Sequence, residues 1–150
     1  MDPYAAATPE ARALALSLLE EATFAALAVT YEGRPMVTRI GCLWLPGAGM
    51  GMLVSDLSDH SKALAADPAC AVLVGEPGEK GDPLTHPRIT LRGVAREIDK
   101  AAHRDAWLAA RPKATLYYDF TDFRLMALAP EDAMLNGGFG KAHRLGAADL

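Results

Sequence analysis

The sequence contains few of the residues from which disulfide frameworks and metal centres are built. Of its 150 residues, two are cysteine and four are histidine. Cys42 and Cys70 each lie inside an apolar run, and neither has a second cysteine or histidine at the spacing of a metal-ligand pair. That context is typical of small buried hydrophobic residues, the commonest environment of a free cysteine. We therefore expect two free, buried thiols and no metal site.

An excess of positive charge is also missing. Lysine and arginine number 15 against 19 acidic residues, which gives a net charge of −4. Nucleic-acid binding usually requires a basic face, so nothing here favours a nucleic-acid partner. The N-terminus lacks the features of a signal peptide, and no apolar stretch approaches the roughly 20 residues that span a membrane. We expect a soluble, cytoplasmic protein that is not associated with a membrane.

Familiar catalytic motifs are absent as well. The chain has no Walker loop, no GxSxG elbow and no GxGxxG after a strand. The histidines form no HxH or HxxxH pair, and no residue is convincing as a general acid or base. No catalytic residue is therefore assigned. We expect His86 to be solvated in a loop and His103 to lie on the outer face of a helix.

What is present is the composition of one folded domain. Hydrophobic residues make up 51% and charged residues 23% of the chain, as is ordinary for a globular protein. A length of 150 residues is enough for a buried core but short for two domains. We predict a single domain over residues 1–150.

The order of predicted elements indicates an α+β fold. A helix begins at Thr8-Pro9-Glu10, with a capping hydroxyl, a proline in the first turn and an acid near the positive end. Later helices are expected at 58–66 and from Asp99 to about 110, and a long surface loop over 76–87. Gly93 predicts a bulge. Tight turns between strands favour a mostly antiparallel sheet that closes into a barrel. Strands are predicted over 24–31, 36–45, 52–55, 69–75, 88–98, 123–128 and 133–135.

One segment has the composition of an anion site. Residues 55–62, SDLSDHSK, place hydroxyls, an imidazole and an ammonium where a strand ends and a helix begins. Free backbone N–H groups and the positive end of the helix dipole favour an anion at that point. Arg39, on a neighbouring strand, can add a bidentate phosphate contact. The alternative interpretation is an ordinary capped helix with solvated polar residues.

A resemblance covers nearly the whole chain in order. GRPMVTRIG at 33–41, LVSDLSDHSKAL at 53–64 and DP at 67–68 resemble the pyridoxamine 5′-phosphate oxidase-like FMN-binding superfamily. The likeness is greatest to its haem-utilisation (HugZ-type) branch. Further segments similar to that branch lie at 81–84, 87–93, 117–123 and 135–142.

The resemblance implies an FMN-binding split β-barrel with flanking helices, which works as a homodimer with its cofactor site at the subunit interface. It implies that the phosphate is held at the start of the 58–66 helix and that the flavin ring is contacted from the strands. The residues it assigns to cofactor binding are Thr38, Arg39, Ile40, Gly41, Ser55, Asp56, Ser58, His60, Ser61, Lys62, Arg88 and Thr90.

The chain also departs from the oxidase pattern. The oxidases have an arginine and a lysine where this chain has Thr38 and Leu43, and again where it has Asp59 and His60. Their C-terminal tryptophan and arginine, which handle the pyridoxal substrate, have no counterpart here.

Two functional hypotheses follow from this resemblance. The first is an FMN-dependent oxidoreductase acting on a small-molecule substrate, with haem as a further ligand or substrate. The alternative is a non-catalytic flavin- or haem-binding protein, or a haem-degrading module. In that case His143 is the histidine to test as a haem ligand, the other interpretation being a frayed surface residue.

Overall fold

All seven strands of the chain belong to one sheet with helices packed around it. The computed structural model describes residues 1–150. The helices are α1 (Pro9–Glu21), α2 (Asp59–Ala66) and α3 (Arg104–Ala110). Short 3-10 turns lie at Pro83–Thr85, Pro112–Leu116 and Ala147–Asp149. The strands are β1 (Phe24–Tyr31), β2 (Arg34–Leu45), β3 (Gly49–Ser55), β4 (Ala69–Val74), β5 (Arg88–Glu97), β6 (Phe123–Asn136) and β7 (Ala142–Gly146).

Helix α1 begins as the sequence predicts. The Thr8 hydroxyl accepts a hydrogen bond from the Ala11 backbone N–H at 3.1 Å, and Pro9 occupies the first turn. A side-chain cap of this kind satisfies one of the four amide groups that a helix start leaves without a partner. Ala11, Ala15 and Leu19 form the buried stripe that packs onto the sheet.

Six strands close into a barrel. The sheet order is β3-β2-β1-β4-β5-β6-β7, with every pair antiparallel, and β3 also pairs with β6. That extra ladder, from Met50–Leu128 to Ser55–Phe123, joins the ends of the sheet, while β7 continues outside the barrel on β6. Inward-facing side chains fill the barrel with a core of 22 buried residues. The α+β split-barrel fold predicted from the sequence is confirmed.

The split in the barrel lies between β2 and β3. Their ladder runs from Leu45–Gly49 only to Cys42–Met52, after which β2 continues beside β1 and β3 continues beside β6. Helix α2 follows β3 directly and packs against β1, with Ala63 and Leu64 buried in the barrel core. The helix therefore fills the end of the barrel where the two strands part.

Glycine determines the backbone at one turn and at one bulge. Glu32 and Gly33 both have positive φ, at 52° and 76°, as a two-residue hairpin turn requires. At Gly93 the register of β5 and β6 shifts by one residue, so that Gly93 faces Pro130 while Arg92 faces Asp132. The bulge predicted at Gly93 is therefore present.

Three elements differ most from the predictions, whereas β2 and β3 only begin two or three residues earlier than expected. Strand β6 is continuous over Phe123–Asn136, where two short strands were expected. Pro130 does not end the strand because it lies at the bulge, where its missing N–H interrupts no hydrogen bond of the ladder. Helix α3 begins at Arg104 rather than at Asp99, whose carboxylate instead accepts from the Ala101 N–H in a preceding turn. Strand β7 was not predicted.

A second small core lies outside the barrel. Helix α3 and the 3-10 turn Pro112–Leu116, together called the cap, cover β3 and β6. Arg111, where the two pieces of the cap meet, donates from Nη2 to the carbonyls of Ala22 at 2.7 Å and Cys42 at 2.8 Å. This guanidinium ties the cap to the end of α1 and to β2. The buried residues of this core are Leu45, Leu53, Trp107, Ala114, Tyr118 and Leu125.

The two cysteines are free thiols. Cys42 is buried, as expected, and Cys70 is half-buried; burial raises the pKa of each thiol to about 11. Both thiols are therefore protonated and unreactive at neutral pH.

No group of three or more histidine, cysteine or acidic side chains is placed to hold a metal ion. None of the helices combines the length and the apolar character needed to cross a bilayer.

The bulge makes Gly93 intolerant of any side chain. A Cβ at Gly93 would lie 2.1 Å from the carbonyl oxygen of Ala129. We expect Gly93→Ala to lower the free energy of unfolding by roughly 1–3 kcal/mol through overpacking. At Gly41, a Cβ meets no atom within 4 Å. Gly41→Ala is therefore the matched control and should change stability little. Urea unfolding measures both, and equal stabilities would contradict the bulge geometry.

Candidate functional site

An open cleft of about 470 Å³ lies on the outside of the barrel. It forms where outward-facing side chains of β2, β1, β4 and β5 stand in register. Arg39, Ala26, Leu73 and Thr90 make one such cross-strand row. Alanine at the centre of the row leaves room between the longer side chains on either side. We refer to this space as the outer cleft.

The walls of the outer cleft are apolar and exposed. Phe24, Val37, Leu73 and Leu84 keep 38%, 66%, 45% and 69% of their surface accessible. A cluster of large apolar side chains around a concave surface is characteristic of a contact site for a ligand or a partner protein.

Two arginines border these apolar walls. The Arg39 guanidinium lies 5.3 Å from the centre of the Phe24 ring and forms no ion pair within the chain. Arg88 donates from Nη1 to the carbonyl oxygens of Leu84 at 2.9 Å and His86 at 3.2 Å. Glu76 is the one carboxylate in the lining. The outer cleft therefore combines an apolar surface with an excess of positive charge.

The loop over 76–87 forms one edge of the outer cleft and is ordered by its own side chains. His86 Nδ1 accepts from the Gly78 backbone N–H, and His86 Nε2 donates to the Lys80 carbonyl oxygen at 2.8 Å. Asp82 accepts from the Leu84 N–H at 2.9 Å and starts the 3-10 turn that carries Leu84. The prediction that His86 is simply solvated is wrong, because the loop needs its ring as a hydrogen-bond partner.

The start of α2 is a hydrogen-bonded cluster. Thr38 Oγ1 and His60 Nδ1 are 3.0 Å apart, which joins β2 to the helix. Ser58 Oγ donates to the Ser55 carbonyl at 2.6 Å and lies 2.9 Å from Ser61 Oγ, so it does not cap the helix with its side chain. The hydroxyls that the sequence assigns to a phosphate thus contact one another in this structure.

Charge at this cluster is balanced. The Lys62 ammonium lies 3.9 Å from the Asp59 carboxylate. Burial lowers the pKa of His60 below its usual value, and the nearby Asp59 carboxylate only partly offsets this. His60 is therefore neutral at neutral pH, and Lys62 is the one cation that the cluster offers.

Ser55 and Asp56 lie beside this cluster, because Ser58 contacts the Ser55 carbonyl and Asp56 lines a second cleft, of about 410 Å³, with Ser61 and Lys62. Asp56 pairs with Arg124 at 2.7 Å across the end of the barrel, and Arg124 also pairs with Glu97 at 3.0 Å. Ser55 Oγ donates to the Asp122 carboxylate at 3.1 Å. Ile40 is buried in the barrel core, and Gly41 faces outward opposite Phe24.

The twelve predicted residues thus fall into separate places rather than around one point. Thr38, Arg39 and Arg88 line the outer cleft, and Thr90 stands beside Leu73 in its cross-strand row. Thr38 also contacts His60, which links the outer cleft to the α2 cluster. Cofactor binding by these residues stays a prediction.

Sequence reasoning missed the apolar lining of the outer cleft. Phe24, Leu73 and Leu84 were not among the predicted site residues, although they form its walls. The sequence did indicate this surface, because β1 and β4 carry apolar residues on both of their faces. That pattern predicts a strand covered on both sides, and here Phe24 and Leu73 on the outer side stay 38% and 45% exposed.

The other histidines lie away from the outer cleft. His143 is in β7, opposite Leu135, and its Nδ1 is 2.9 Å from the Ala6 carbonyl oxygen. It is an ordered strand residue, so the interpretation as a frayed position is wrong. His103 is half-buried at the residue that precedes α3, rather than on the outer face of a helix.

Comparison with known proteins identifies one curated relative with haem chemistry in its name. No protein-family model matches the chain. The chloroplastic haem oxygenase HOZ of Arabidopsis thaliana is 38% identical over 104 residues, which cover 67% of this chain and 31% of the plant protein. The chain therefore spans about a third of the length of that relative.

Solved structures agree with the barrel. One, 38% identical, matches 97% of both chains with a TM-score of 0.90. A haem-binding protein from Mycobacterium smegmatis, 30% identical, matches over 95% of this chain and 60% of its own, with a TM-score of 0.85. ChuZ of Campylobacter jejuni, 15% identical, shares the fold over 97% of this chain and 63% of its own, with a TM-score of 0.85.

Fold and comparisons together define the class. The chain is a member of the pyridoxamine 5′-phosphate oxidase-like split-barrel superfamily. Two relatives with haem-related names, 38% and 30% identical, are consistent with the haem-utilisation branch that its sequence segments resemble.

The lowered pKa of His60 predicts a pH dependence of stability. A histidine whose pKa is lower in the folded than in the unfolded chain binds fewer protons when folded. The free energy of unfolding should therefore decrease as the pH falls below the usual value of 6.5. We expect His60→Gln to flatten this slope and the control His103→Gln to retain it, measured by urea unfolding from pH 7.5 down to 5.5. Parallel slopes in all three proteins would contradict the burial of His60.

Proposed function

We propose that this protein binds haem in the outer cleft and that it does so as a homodimer. The observation that carries the proposal is the combination of exposed apolar walls with two arginines in one concave surface. Haem has the matching chemistry, since it is a flat apolar macrocycle with two carboxylate groups at one edge. The haem-related names of the 38% and 30% identical relatives support this assignment.

The apolar walls would hold the macrocycle. Val37, Leu73 and Leu84 project from three different elements toward the same space. Burying such side chains against a ligand contributes about 25 cal/mol for each Å² of apolar surface removed from water. Phe24 adds an aromatic ring, whose face is already covered on one side by Arg39.

The arginines would bind the propionates. Arg39 has no carboxylate partner in the chain, and its guanidinium is free to form a bidentate pair. Arg88 uses Nη1 for two backbone carbonyls, which fixes the direction in which the rest of its guanidinium points. Glu76 is one carboxylate against these two cations, so an anionic ligand lowers the net charge of the outer cleft.

The iron has no ligand among the lining residues. None of them is histidine, cysteine, methionine or tyrosine. His60 lies behind Thr38, and His143 contacts the Ala6 carbonyl. The proposal therefore rests on the macrocycle and the propionates, and it assigns no protein ligand to the metal.

The same surface supports the proposed homodimer. The outer cleft is open on one side, and its walls expose four large apolar side chains to water. A two-fold interface between copies of the chain would remove this surface from water and enclose the ligand. The net charge of −4 does not favour a nucleic-acid partner for this surface.

FMN is the second candidate. The observation that favours it is the start of α2, where the serine hydroxyls and the uncapped backbone N–H groups lie together. The cations fit the phosphate less well, since Arg39 stacks on Phe24, Lys62 is beside Asp59, and His60 is neutral. Bound FMN would supply redox chemistry to an oxidoreductase. The absorption spectrum of the untagged, purified protein separates flavin from haem.

Haem titration tests the main proposal. We expect a shifted Soret band, and we expect Arg39→Gln and Arg88→Gln each to weaken binding about 10- to 100-fold through loss of a charged hydrogen bond. Arg96→Gln is the matched control, because Arg96 is an exposed arginine of the same strand as Arg88 outside the outer cleft. His143→Ala should bind as the wild type does.

Two results would overturn the assignment of haem to the outer cleft. One is an unshifted Soret band in the wild-type protein. The other is equal affinity in Arg39→Gln, Arg88→Gln and Arg96→Gln. Loss of binding in His143→Ala alone would move the site to β7.

Breakdown of the bound haem is a further activity, supported by the 38% identity with the plant haem oxygenase over 104 residues. It requires O₂ and electrons from an added reductant. We expect the Soret band of the complex to decay when ascorbate is added in air and to persist in nitrogen. A Soret band that persists in air would contradict haem breakdown and would leave the proposal of haem binding unaffected.

A further inference from the structure

The hairpin between β6 and β7 carries the most exposed aromatic side chain of the protein. Phe139 keeps 95% of its surface accessible, and neither of the two cores includes it. Gly138 and Gly140, on either side of it, both have positive φ, at 119° and 70°. The fold therefore gains no core packing from this ring. We refer to residues 138–140 as the hairpin tip.

The backbone of the hairpin is held by hydrogen bonds. The Gly137 N–H donates to the Lys141 carbonyl at 2.8 Å, and the Lys141 N–H donates to the Gly138 carbonyl at 3.1 Å. The side-chain oxygen of Asn136 accepts from the Gly138 N–H at 3.1 Å. Phe139 and Gly140 are the central residues of the resulting turn, and glycine at the second of these positions suits a positive φ. The backbone is thus fixed, whereas the exposed side chain of Phe139 is free to rotate.

The hairpin tip lies against the loop edge of the outer cleft. Asn136 stands directly opposite Arg88 in the ladder of β5 and β6, so both side chains are on the outer face of the sheet. A Cβ on Gly138 would lie 3.0 Å from the carbonyl oxygen of Thr85. Thr85 directly follows Leu84, and Leu84 and Arg88 both line the outer cleft. Phe139 therefore follows a residue that touches the cleft edge.

Two exposed apolar side chains meet at this edge. Phe139 and Leu84 lie on neighbouring turns, with 95% and 69% of their surface accessible. A single exposed apolar residue is ordinary, but two of them beside a concave apolar surface indicate a contact site. Val37 and Leu73 project from the strands beneath the outer cleft, whereas the hairpin tip stands at its rim. A flat ligand lying on the strands would still expose its other face to water.

We propose that Phe139 is an aromatic lid, whose side chain turns from water onto the exposed face of a macrocycle bound in the outer cleft. The inference rests on the proposed binding of haem and adds a residue that lies outside the cleft lining. Rotation of an exposed side chain is fast and needs no change in the backbone of the turn. Because the contact forms only after the ligand has entered, it slows release more than entry. The lid belongs to a single chain and is separate from the proposed two-fold interface.

Rates of haem release test the lid. Haem is transferred from the loaded protein to excess apomyoglobin, and haem association is measured separately. We expect Phe139→Ala to release haem roughly 10-fold faster, the factor that corresponds to about 1.4 kcal/mol of lost contact, with an association rate close to that of the wild type. Phe139→Tyr keeps the ring and should release haem as the wild type does.

Leu116→Ala is the matched control. Leu116 is 78% exposed on the 3-10 turn of the cap and does not line the outer cleft. This variant should retain both wild-type rates. Urea unfolding should give equal stabilities for the wild type and all three variants, because neither Phe139 nor Leu116 belongs to a core.

The other outcomes separate the lid from the proposal on which it rests. Equal release rates in all four proteins, with a shifted Soret band in each, would overturn the lid and leave haem binding. Equal increases in association and release in Phe139→Ala would also overturn it, because the ring would then only narrow the entrance. Fast release in Phe139→Tyr as well would exclude a contact through the aromatic ring. An unshifted Soret band in the wild type would overturn haem binding and the lid together.

Discussion

The pairing of β3 with β6 is the constraint on which the rest of the molecule depends. Without it, the six strands would form an open sheet with two edges, and edge strands are prone to pair with other chains. The pairing joins Met50–Ser55 to Phe123–Leu128, two segments that are far apart in the sequence. The interior becomes a closed core, and α2 is left to fill the gap between β2 and β3. On the outer surface of four strands, Phe24, Val37 and Leu73 stay 38%, 66% and 45% exposed around the outer cleft.

Much of this fold could be predicted from local patterns. Thr8 and Pro9 mark the start of α1, and Gly93 marks the bulge, because each position has a backbone requirement that few residues meet. Strand β7 could not be predicted, since it is short and its stability comes from pairing with β6. Strand β6 was divided in two because Pro130 ordinarily ends a strand, and only the partner strand shows that a bulge accommodates it.

The site was harder to predict than the fold. The segment around Ser58 and Lys62 was singled out for its polar composition, but polar side chains can satisfy one another, as Ser58 and Ser61 do. The walls of the outer cleft are apolar residues of ordinary strands, and their role depends on which face lacks a cover. That property belongs to the assembled barrel and has only a weak signature in the sequence, namely strands that are apolar on both faces.

The attachment of the cap has a consequence for the behaviour of the protein in salt. Most surface contacts of the charged side chains, such as Arg92 with Asp132, are ion pairs that dissolved salt screens. Arg111 instead donates to two neutral backbone carbonyls, in a half-buried position. Screening acts weakly on such a contact. The cap therefore stays joined to the barrel across the range of ionic strengths in which the ion pairs of the surface lose their effect.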